Sequence, residues 1–359
     1  MDYSGKTKIK IGILTPMKNL TIKTLLKAED LTIGYSDRGK NIQLQSGLNI
    51  DLFEGDFICL IGPNGCGKST LIKTLGGLHD PLKGKVFVLE RELGTMDYSQ
   101  RSRCINTVVT EKSYVDQITV EEVVALGRYA YSNWLGALSV TNREFIHNSI
   151  IEVGLKGFES RMLSTLSDGE RQRVFIAKAL ASHAPVLLLD EPTAHLDVSN
   201  RVEILSLLRT LSYRPGQACL VSTHDLDLAL QLADQIWLMV RGEGILCMTP
   251  EELIREEFLD KVFGNKTLTF DSESGSFAIR NKSEYKIVFK EENHIPSHAI
   301  KAFERLGFST DRNIEPSISV EMNTEGWSVS SQNINMHQLT LTELCRVLKR
   351  LSLRKTNNN

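Results

Sequence analysis

The 359-residue sequence predicts an α/β protein: a mostly parallel sheet covered on both faces, followed by a small α+β domain. Three observations carry this. The near-continuous apolar segments FICLIG, APVLLLDEP, ACLVSTHD and QIWLMVRGEG have the pattern of strands buried on both faces. Each is followed by a helical pattern or a turn, the alternation expected of parallel strands. After about Phe263 the pattern changes to short alternating strands around two helical segments.

In chain order, residues 1–24 contain lysines and only a short apolar core, IGIL, with no clear cleavage site. They form a poor signal peptide and read as an N-terminal extension. LLKAEDLTIGY (25–35) alternates as a strand does, and SDRGK is a polar turn. LNIDLFEGDFICLIG contains a turn signal at Glu54-Gly55-Asp56 before a buried strand. A glycine-rich loop and a helix starting near Lys68 follow, and KGKVFVLE is another strand. From Val120 to about Ser182, apolar residues recur at three- and four-residue spacing, the period of helices. Beyond Phe263, FAIRNKSEYKIVFKEE reads as a hairpin and HIPSHAIKAFERLGF as a helix with a glycine stop. SISVEMNTEGWSVSS is a second hairpin, about Asn-Thr-Glu-Gly, and LTLTELCRVLKRLSL a closing helix. Residues 268–353 are therefore expected to form a β-β-α-β-β-α accessory domain, with 354–359 a disordered tail.

An apolar fraction of 41%, a charged fraction of 24% and a net charge of −2 suit a soluble globular chain. They disfavour nucleic acid as the main partner, which needs a basic excess; none is expected. The six cysteines form no CxxC pair and no zinc spacing, so they read as reduced thiols. No segment approaches the ~18 apolar residues that a membrane span needs.

GPNGCGKS (62–69) fits G-x-x-x-x-G-K-[ST] between a strand and a helix. The glycines Gly62, Gly65 and Gly67, with Pro63, Asn64 and Cys66, let backbone N–H groups ring phosphates. Lys68 would reach the β- and γ-phosphates and the Ser69 hydroxyl would bind Mg²⁺, with Thr70 next in the helix. VLLLDEP (186–192) delivers Asp190 and Glu191 at the carboxyl end of a strand, where ligands of open α/β sheets bind. Asp190 would hold Mg²⁺ through water and Glu191 would act as general base on the attacking water.

LSDGERQR (166–173) starts its helix with Ser167, which stands 23 residues before Asp190. It resembles the L-S-G-G-Q signature of ABC-family ATPases, and from here the resemblance covers residues 25–263, with a P-loop NTPase core and a helical signature subdomain at about 113–183. In that family the signature clamps the γ-phosphate bound to the other protomer, anion binding at a helix start. The resemblance assigns that role to Ser167, Asp168, Gly169 and Glu170, with Asp168 and Glu170 departing from the usual Gly and Gln. It also implies that Tyr35, 27 residues before Gly62, stacks on adenine. TAHLD (193–197) resembles the D-loop, with Asp197 at the dimer seam. STHD (222–225) resembles the switch motif, with His224 on the γ-phosphate. A surface tyrosine and a helix cap without nucleotide contact are the bland alternatives for Tyr35 and Ser167.

ITVEEVVALGRYAYSNWLG resembles the importer branch that serves iron–siderophore, haem and cobalamin uptake. Tyr129, Tyr131 and Trp134 there read equally as a dock for a membrane subunit or as subdomain packing. By spacing, Thr110 stands where this branch has its Q-loop glutamine, and Glu111 follows it. Either the loop works with altered reach or the sensing contact is lost. The resemblance implies an ATP- and Mg²⁺-dependent ATPase, a head-to-tail homodimer, integral membrane permease subunits and a periplasmic binding protein. It implies a peripheral place on the cytoplasmic face of the inner membrane. A soluble ABC ATPase, or a slow ATP-gated module with residues 268–353 as effector, is the competing reading.

Overall fold

The computed structural model describes residues 23–37, 40–109, 117–132, 138–265, 267–272, 275–279, 285–289, 295–309, 318–324, 326–331 and 334–356. Two compact units divide the chain, Met1–Val262 and Phe263–Asn359.

The first unit opens with an antiparallel ribbon, β1 (Thr24–Asp37) and β2 (Lys40–Phe53). β3 (Phe57–Ile61) leads into α1 (Lys68–Leu75). β4 (Lys83–Val88) and β5 (Arg91–Glu92) then join the ribbon in the order β2-β1-β4-β5, antiparallel throughout. α2 (Tyr98–Cys104) precedes β6 (Ile105–Val109). Three helices follow: α3 (Val120–Ala125), α4 (Val140–Glu152) and α5 (Asp168–Ala181). Next come β7 (Val186–Asp190), α6 (Val198–Ser212), β8 (Ala218–Ser222) and α7 (Leu226–Leu232). β9 (Gln235–Val240), β10 (Gly244–Met248), α8 (Pro250–Arg255) and α9 (Phe258–Phe263) complete this part of the chain.

The second sheet runs β10-β9-β3-β8-β7-β6 and is parallel except for β10. All residues of β3, β7 and β8 are buried, as their unbroken apolar runs predict. Each buried aliphatic side chain contributes about 1.5–3 kcal/mol, so their register is firmly held. Val109, Asp190 and Ser222 consequently end level with one another, Val109 opposite Asp190 and Asp190 opposite Ser222. The sheet thus presents several loops along one edge. The separate antiparallel sheet was not legible as such, because the alternation in 25–35 does not say which strands pair with it. All six cysteines are free, and burial pushes the Cys59 thiol up to about 12.

Arg128 is the central polar group of the helical region. Its Nε and Nη2 donate to Asn142 Oδ1 (3.0 and 2.6 Å), and Nη1 donates to the Ala181 carbonyl at the end of α5 (3.0 Å). The guanidinium lies 3.7 Å from the Tyr131 ring centroid and 4.5 Å from that of Phe145. Tyr131 is therefore a packing residue, its hydroxyl donating to the Ser182 carbonyl (3.0 Å), whereas Tyr129 is exposed. Trp134 lies outside the described residues.

The second unit contains β11 (Leu268–Asp271) and β12 (Ser276–Ile279), an antiparallel pair. Its main sheet is built from β13 (Tyr285–Phe289), α10 (Ser297–Arg305), β14 (Phe308–Ser309), β15 (Ile318–Asn323), β16 (Gly326–Ser331) and β17 (Ile334–Leu339), followed by α11 (Leu341–Thr356). The strand order is β14-β13-β15-β16-β17. Two expectations are corrected. FAIRNKSEYKIVFKEE is not a hairpin: β12 pairs with β11, and β13 runs parallel to β14 and β15. Burial explains the difference, because Phe277 packs on Phe263 and Phe270 while Ile287 joins Phe303, Ile318 and Val320 in a common core. The helix α11 continues to Thr356, three residues into the expected tail. Thr340 and Glu343 cap its start and Leu344 and Leu348 bury one face, so the last turns extend an established helix. The strand β17 was missed because four of its six residues are exposed and three of those, Asn335, His337 and Gln338, are polar.

Arg128→Met should cost about 2–4 kcal/mol of unfolding free energy, since it strands buried acceptors. The exposed Arg103→Met change should cost under about 1 kcal/mol. Chemical denaturation of the two variants checks the difference.

Candidate functional site

The loop from Gly62 to Ser69 connects β3 to α1. A Cβ on Gly62 would stand 2.4 Å from the Met239 carbonyl oxygen, so only glycine permits this approach. Gly65 (φ 76°) and Gly67 (φ 115°) bend the backbone that carries Pro63, Asn64 and Cys66 around the start of α1. Lys68 is buried, and its Nζ donates to the carbonyls of Gly62 (2.9 Å) and Pro63 (3.4 Å). Its charge is thereby held over the concave side of the loop. Thr70 follows Ser69 in the first turn of α1.

The loop is tied to the strand ends by hydroxyl groups. Ser69 Oγ donates to Asp190 Oδ1 at 3.0 Å, and Ser222 Oγ donates to the same oxygen at 2.7 Å. Ser222 Oγ also accepts the N–H of Glu191 (2.9 Å). Glu191 has φ 50°, a conformation costly for a side-chain-bearing residue. That turn brings Glu191 Oε1 to 2.6 Å from His224 Nε2. Thr223 N–H donates to the Leu60 carbonyl (3.2 Å), fixing the His224 loop to β3.

Beside this pair lies a cavity of about 230 Å³ lined by Glu191, Thr193, His195, Arg201, Thr223 and His224. Arg201 forms part of its wall. It bonds the Leu196 carbonyl (2.9 Å) and pairs with Asp225 (3.2 Å), which in turn caps α7.

Ser167 caps α5 and forms a capping box with Glu170. The Ser167 N–H and hydroxyl donate to Glu170 Oε2 (both 2.8 Å), and Glu170 N–H donates to Ser167 Oγ (3.3 Å). The Ser167 backbone N–H first, and its hydroxyl second, hold the Glu170 carboxyl below the usual range. Asp168 pairs with Arg171 at 3.3 Å. Gly169 is closely packed: a Cβ would stand 3.1 Å from the Asn200 side-chain amide, which would have to shift by a few tenths of an ångström to admit it. Asn200 is bonded in turn to Asp197, through its N–H to Oδ1 (2.8 Å) and its Nδ2 to Oδ2 (3.1 Å). Asp197 and Gly169 are therefore joined through one side chain.

Tyr35 is exposed near the end of β1. Two residues earlier, Ile33 reaches the phosphate loop, its Cδ1 3.5 Å from where a Gly67 Cβ would be. Thr110 and Glu111 lie outside the described residues, directly after Val109.

Residues 45–194 match the ABC transporter family. An uncharacterised ABC transporter ATP-binding protein of Methanocaldococcus jannaschii is 33% identical over 257 residues, covering 72% of this chain and 87% of that protein. This chain is an ABC transporter ATP-binding protein by family.

Among other relatives, the ferric enterobactin transport ATP-binding protein FepC of Escherichia coli is 31% identical over 68% of this chain and 89% of its own. A dimeric ATP-binding cassette solved in a post-hydrolysis state with ADP and Pi superposes with a TM-score of 0.55 at 27% identity. It covers 63% of this chain and 99% of its own. The chain is accordingly an ATP-binding cassette and an ATPase.

Within this cassette, Lys68, Ser69, Asp190, Glu191 and His224 converge, and Ser167, Gly169 and Asp197 form a second cluster joined through Asn200. Ser222 was overlooked in the sequence. It lies in the STHD segment as the serine that ends an otherwise apolar strand, and only the pairing of that strand with the one ending at Asp190 sets its hydroxyl beside the two carboxylates. Ser222→Ala removes the donor to Asp190 and the acceptor for Glu191 N–H. Steady-state ATP hydrolysis should fall about tenfold, the equivalent of one buried hydrogen bond. Nucleotide binding, measured by calorimetry, should change far less.

Proposed function

We propose that two copies of this chain bind two ATP molecules head to tail and drive separate membrane permease subunits in the uptake of a metal chelate. The observation that carries the catalytic part is the continuous bonded series Ser69–Asp190–Ser222–Glu191–His224. Lys68 and the loop N–H groups would hold the β- and γ-phosphates. Ser69 and Asp190 offer hard oxygen donors 3.0 Å apart, a pair suited to Mg²⁺ that is completed by phosphate and water. Bound there, Mg²⁺ would neutralise charge on the phosphates during transfer. Glu191 takes the proton of the attacking water, and His224 bonds the γ-phosphate and orients that water. Tyr35 stacks on the adenine.

From the partner, Ser167 and Gly169 present a helix start to the γ-phosphate, with Asp197 at the seam. The shared arrangement is supported by a similar cassette that was solved as a dimer, at 28% identity and a TM-score of 0.55 over 62% of this chain. Named relatives transport achromobactin, import petrobactin and import iron(3+)-hydroxamate, at 31–34% identity. Others import cobalamin, at 38% identity over 58% of this chain. On that basis the cargo is a ferric siderophore or a corrinoid, delivered by a binding protein. The chain sits peripherally on the cytoplasmic face of the membrane, in keeping with the finding that no described helix is long and apolar enough to cross one. Thr110 and Glu111 are proposed to couple the site to the permease.

Glu191→Gln preserves shape and cannot take a proton. Hydrolysis should fall by about 10²–10⁴, while ATP still binds and a dimer accumulates in size-exclusion chromatography. Near-normal turnover rejects the assignment.

Glu170→Gln tests the signature separately. Gln can complete such a box, as Gln100 does with Asp97 at the start of α2, where the Asp97 N–H donates to Gln100 Oε1 at 3.2 Å and the Gln100 N–H to Asp97 Oδ1 at 2.8 Å. The helix start therefore survives with one negative charge fewer. The ATP concentration needed for dimerisation, in a Glu191→Gln background, should fall about two- to fivefold. An unchanged midpoint contradicts phosphate binding at Ser167.

A further inference from the structure

The ribbon contains a residue that neither the motifs nor the catalytic network explains. Gln45 is buried in β2, whose other inward residues are Leu48, Ile50 and Leu52. Strict alternation back from Leu48 points Ser46 inward, not Gln45. A bulge reverses the phase: Leu31 pairs with Leu48 and Ile33 with Gln45, so β2 uses three steps where β1 uses two. Gly47 lies inside the bulge at φ 65°. The outcome is an exposed Ser46 and an inward-facing amide.

That amide is fully engaged on two sides. Gln45 Nε2 donates to the Val240 carbonyl (2.8 Å) and to the Cys66 carbonyl (3.3 Å), and Oε1 accepts the Gly244 N–H (3.1 Å). Val240 and Gly244 flank the turn between β9 and β10, while Cys66 belongs to the phosphate loop. The neighbouring Leu44, and Ile33, which pairs with Gln45 across the ribbon, both press on the loop at Gly67, each 3.5 Å from the position of a Cβ there. The same ribbon carries Tyr35, two residues beyond Ile33. One buried side chain on β2 thus connects the ribbon, whose other strand bears the tyrosine, with the loop that faces the phosphates and the end of the central sheet.

We propose that Gln45 is a positioning residue that fixes the span between Tyr35 and the phosphate loop, so that the base and the triphosphate of one nucleotide are held together. The inference rests on the reading of Tyr35 and of Gly62–Thr70 as the nucleotide site. Its physical basis is preorganisation. A ligand held at both ends gains from the second contact only when the distance between the two is already set. With the amide gone, the ribbon keeps its apolar packing and loses its directional link to Cys66 and Val240. Stacking on Tyr35 must then order the ribbon as well as bind the base.

The test compares ATP with inorganic tripolyphosphate, which has the phosphates and no base, by calorimetry on the full chain. Gln45→Met is close in shape and makes none of the three bonds. ATP affinity should fall about tenfold, the equivalent of one buried hydrogen bond, with tripolyphosphate affinity within about twofold of the parent. Gln45→Asn is the milder variant, with an amide one methylene shorter, and should show the same split. Tyr35→Ala in the Gln45→Met background should cost much less than in the parent. Equal losses for ATP and tripolyphosphate overturn the proposal, as does a Tyr35→Ala cost that is the same in both backgrounds. Tyr35→Ala alone reads the underlying site assignment: a loss confined to ATP supports the adenine reading whatever Gln45 does. Tripolyphosphate binding also reports that each variant retains its phosphate loop.

Discussion

A single carboxylate oxygen, Asp190 Oδ1, governs the geometry of the site. It accepts the hydroxyls of Ser69 and Ser222, which come from different parts of the chain. Ser69 lies in the first turn of α1, Asp190 ends β7, and Ser222 ends β8. The central sheet sets these ends level through buried aliphatic packing, and the two hydroxyl bonds convert that register into a fixed polar centre. Ser222 relays the constraint to Glu191 through the backbone N–H, and Glu191 meets His224. Asp190 is itself buried, so the hydroxyl donors also satisfy a charge that would be costly to bury alone.

The second cluster obeys a different rule. At the start of α5, Ser167 and Glu170 satisfy one another, and Asp168 pairs with Arg171. This turn is built as an ordinary capping box, closed on itself within one chain. Its link to the rest of the chain runs through Gly169, which is packed against Asn200, and through Asn200 to Asp197. The Asp197 loop is therefore linked to the helix start through the Asn200 side chain rather than through the sheet. On the proposed reading, each nucleotide lies between the rigid hydroxyl–carboxylate centre of one protomer and this more independent turn of the other.

Legibility in the sequence followed burial. The parallel strands were visible because strands covered on both faces need unbroken apolar runs, and VLLLD and ACLVS supply them. The phosphate loop was visible because glycine is required where a Cβ would strike Met239. Pairing partners were less visible. The segment 277–292 reads as a hairpin because two alternating stretches flank a polar turn, yet Ile287 is drawn away to pack with Ile318 and Phe303. Strand β17 is too polar to announce itself, and Gln45 was hidden because a bulge reverses the alternation that sequence reading relies on. Ser222 and Arg128 act through bonds to backbone and side chains distant in sequence, which no local pattern encodes.

The central claim is that ATP is hydrolysed at a site composed of the phosphate loop of one chain and the Ser167 turn of another. Lys68→Ala protein and Ser167→Arg protein should each be nearly inactive alone. Mixed, they form heterodimers in which one of the two composite sites is intact, and ATPase activity measured on the mixture should partly recover. If heterodimers are shown to form by cross-linking and activity stays at the level of the separate variants, the shared site is contradicted.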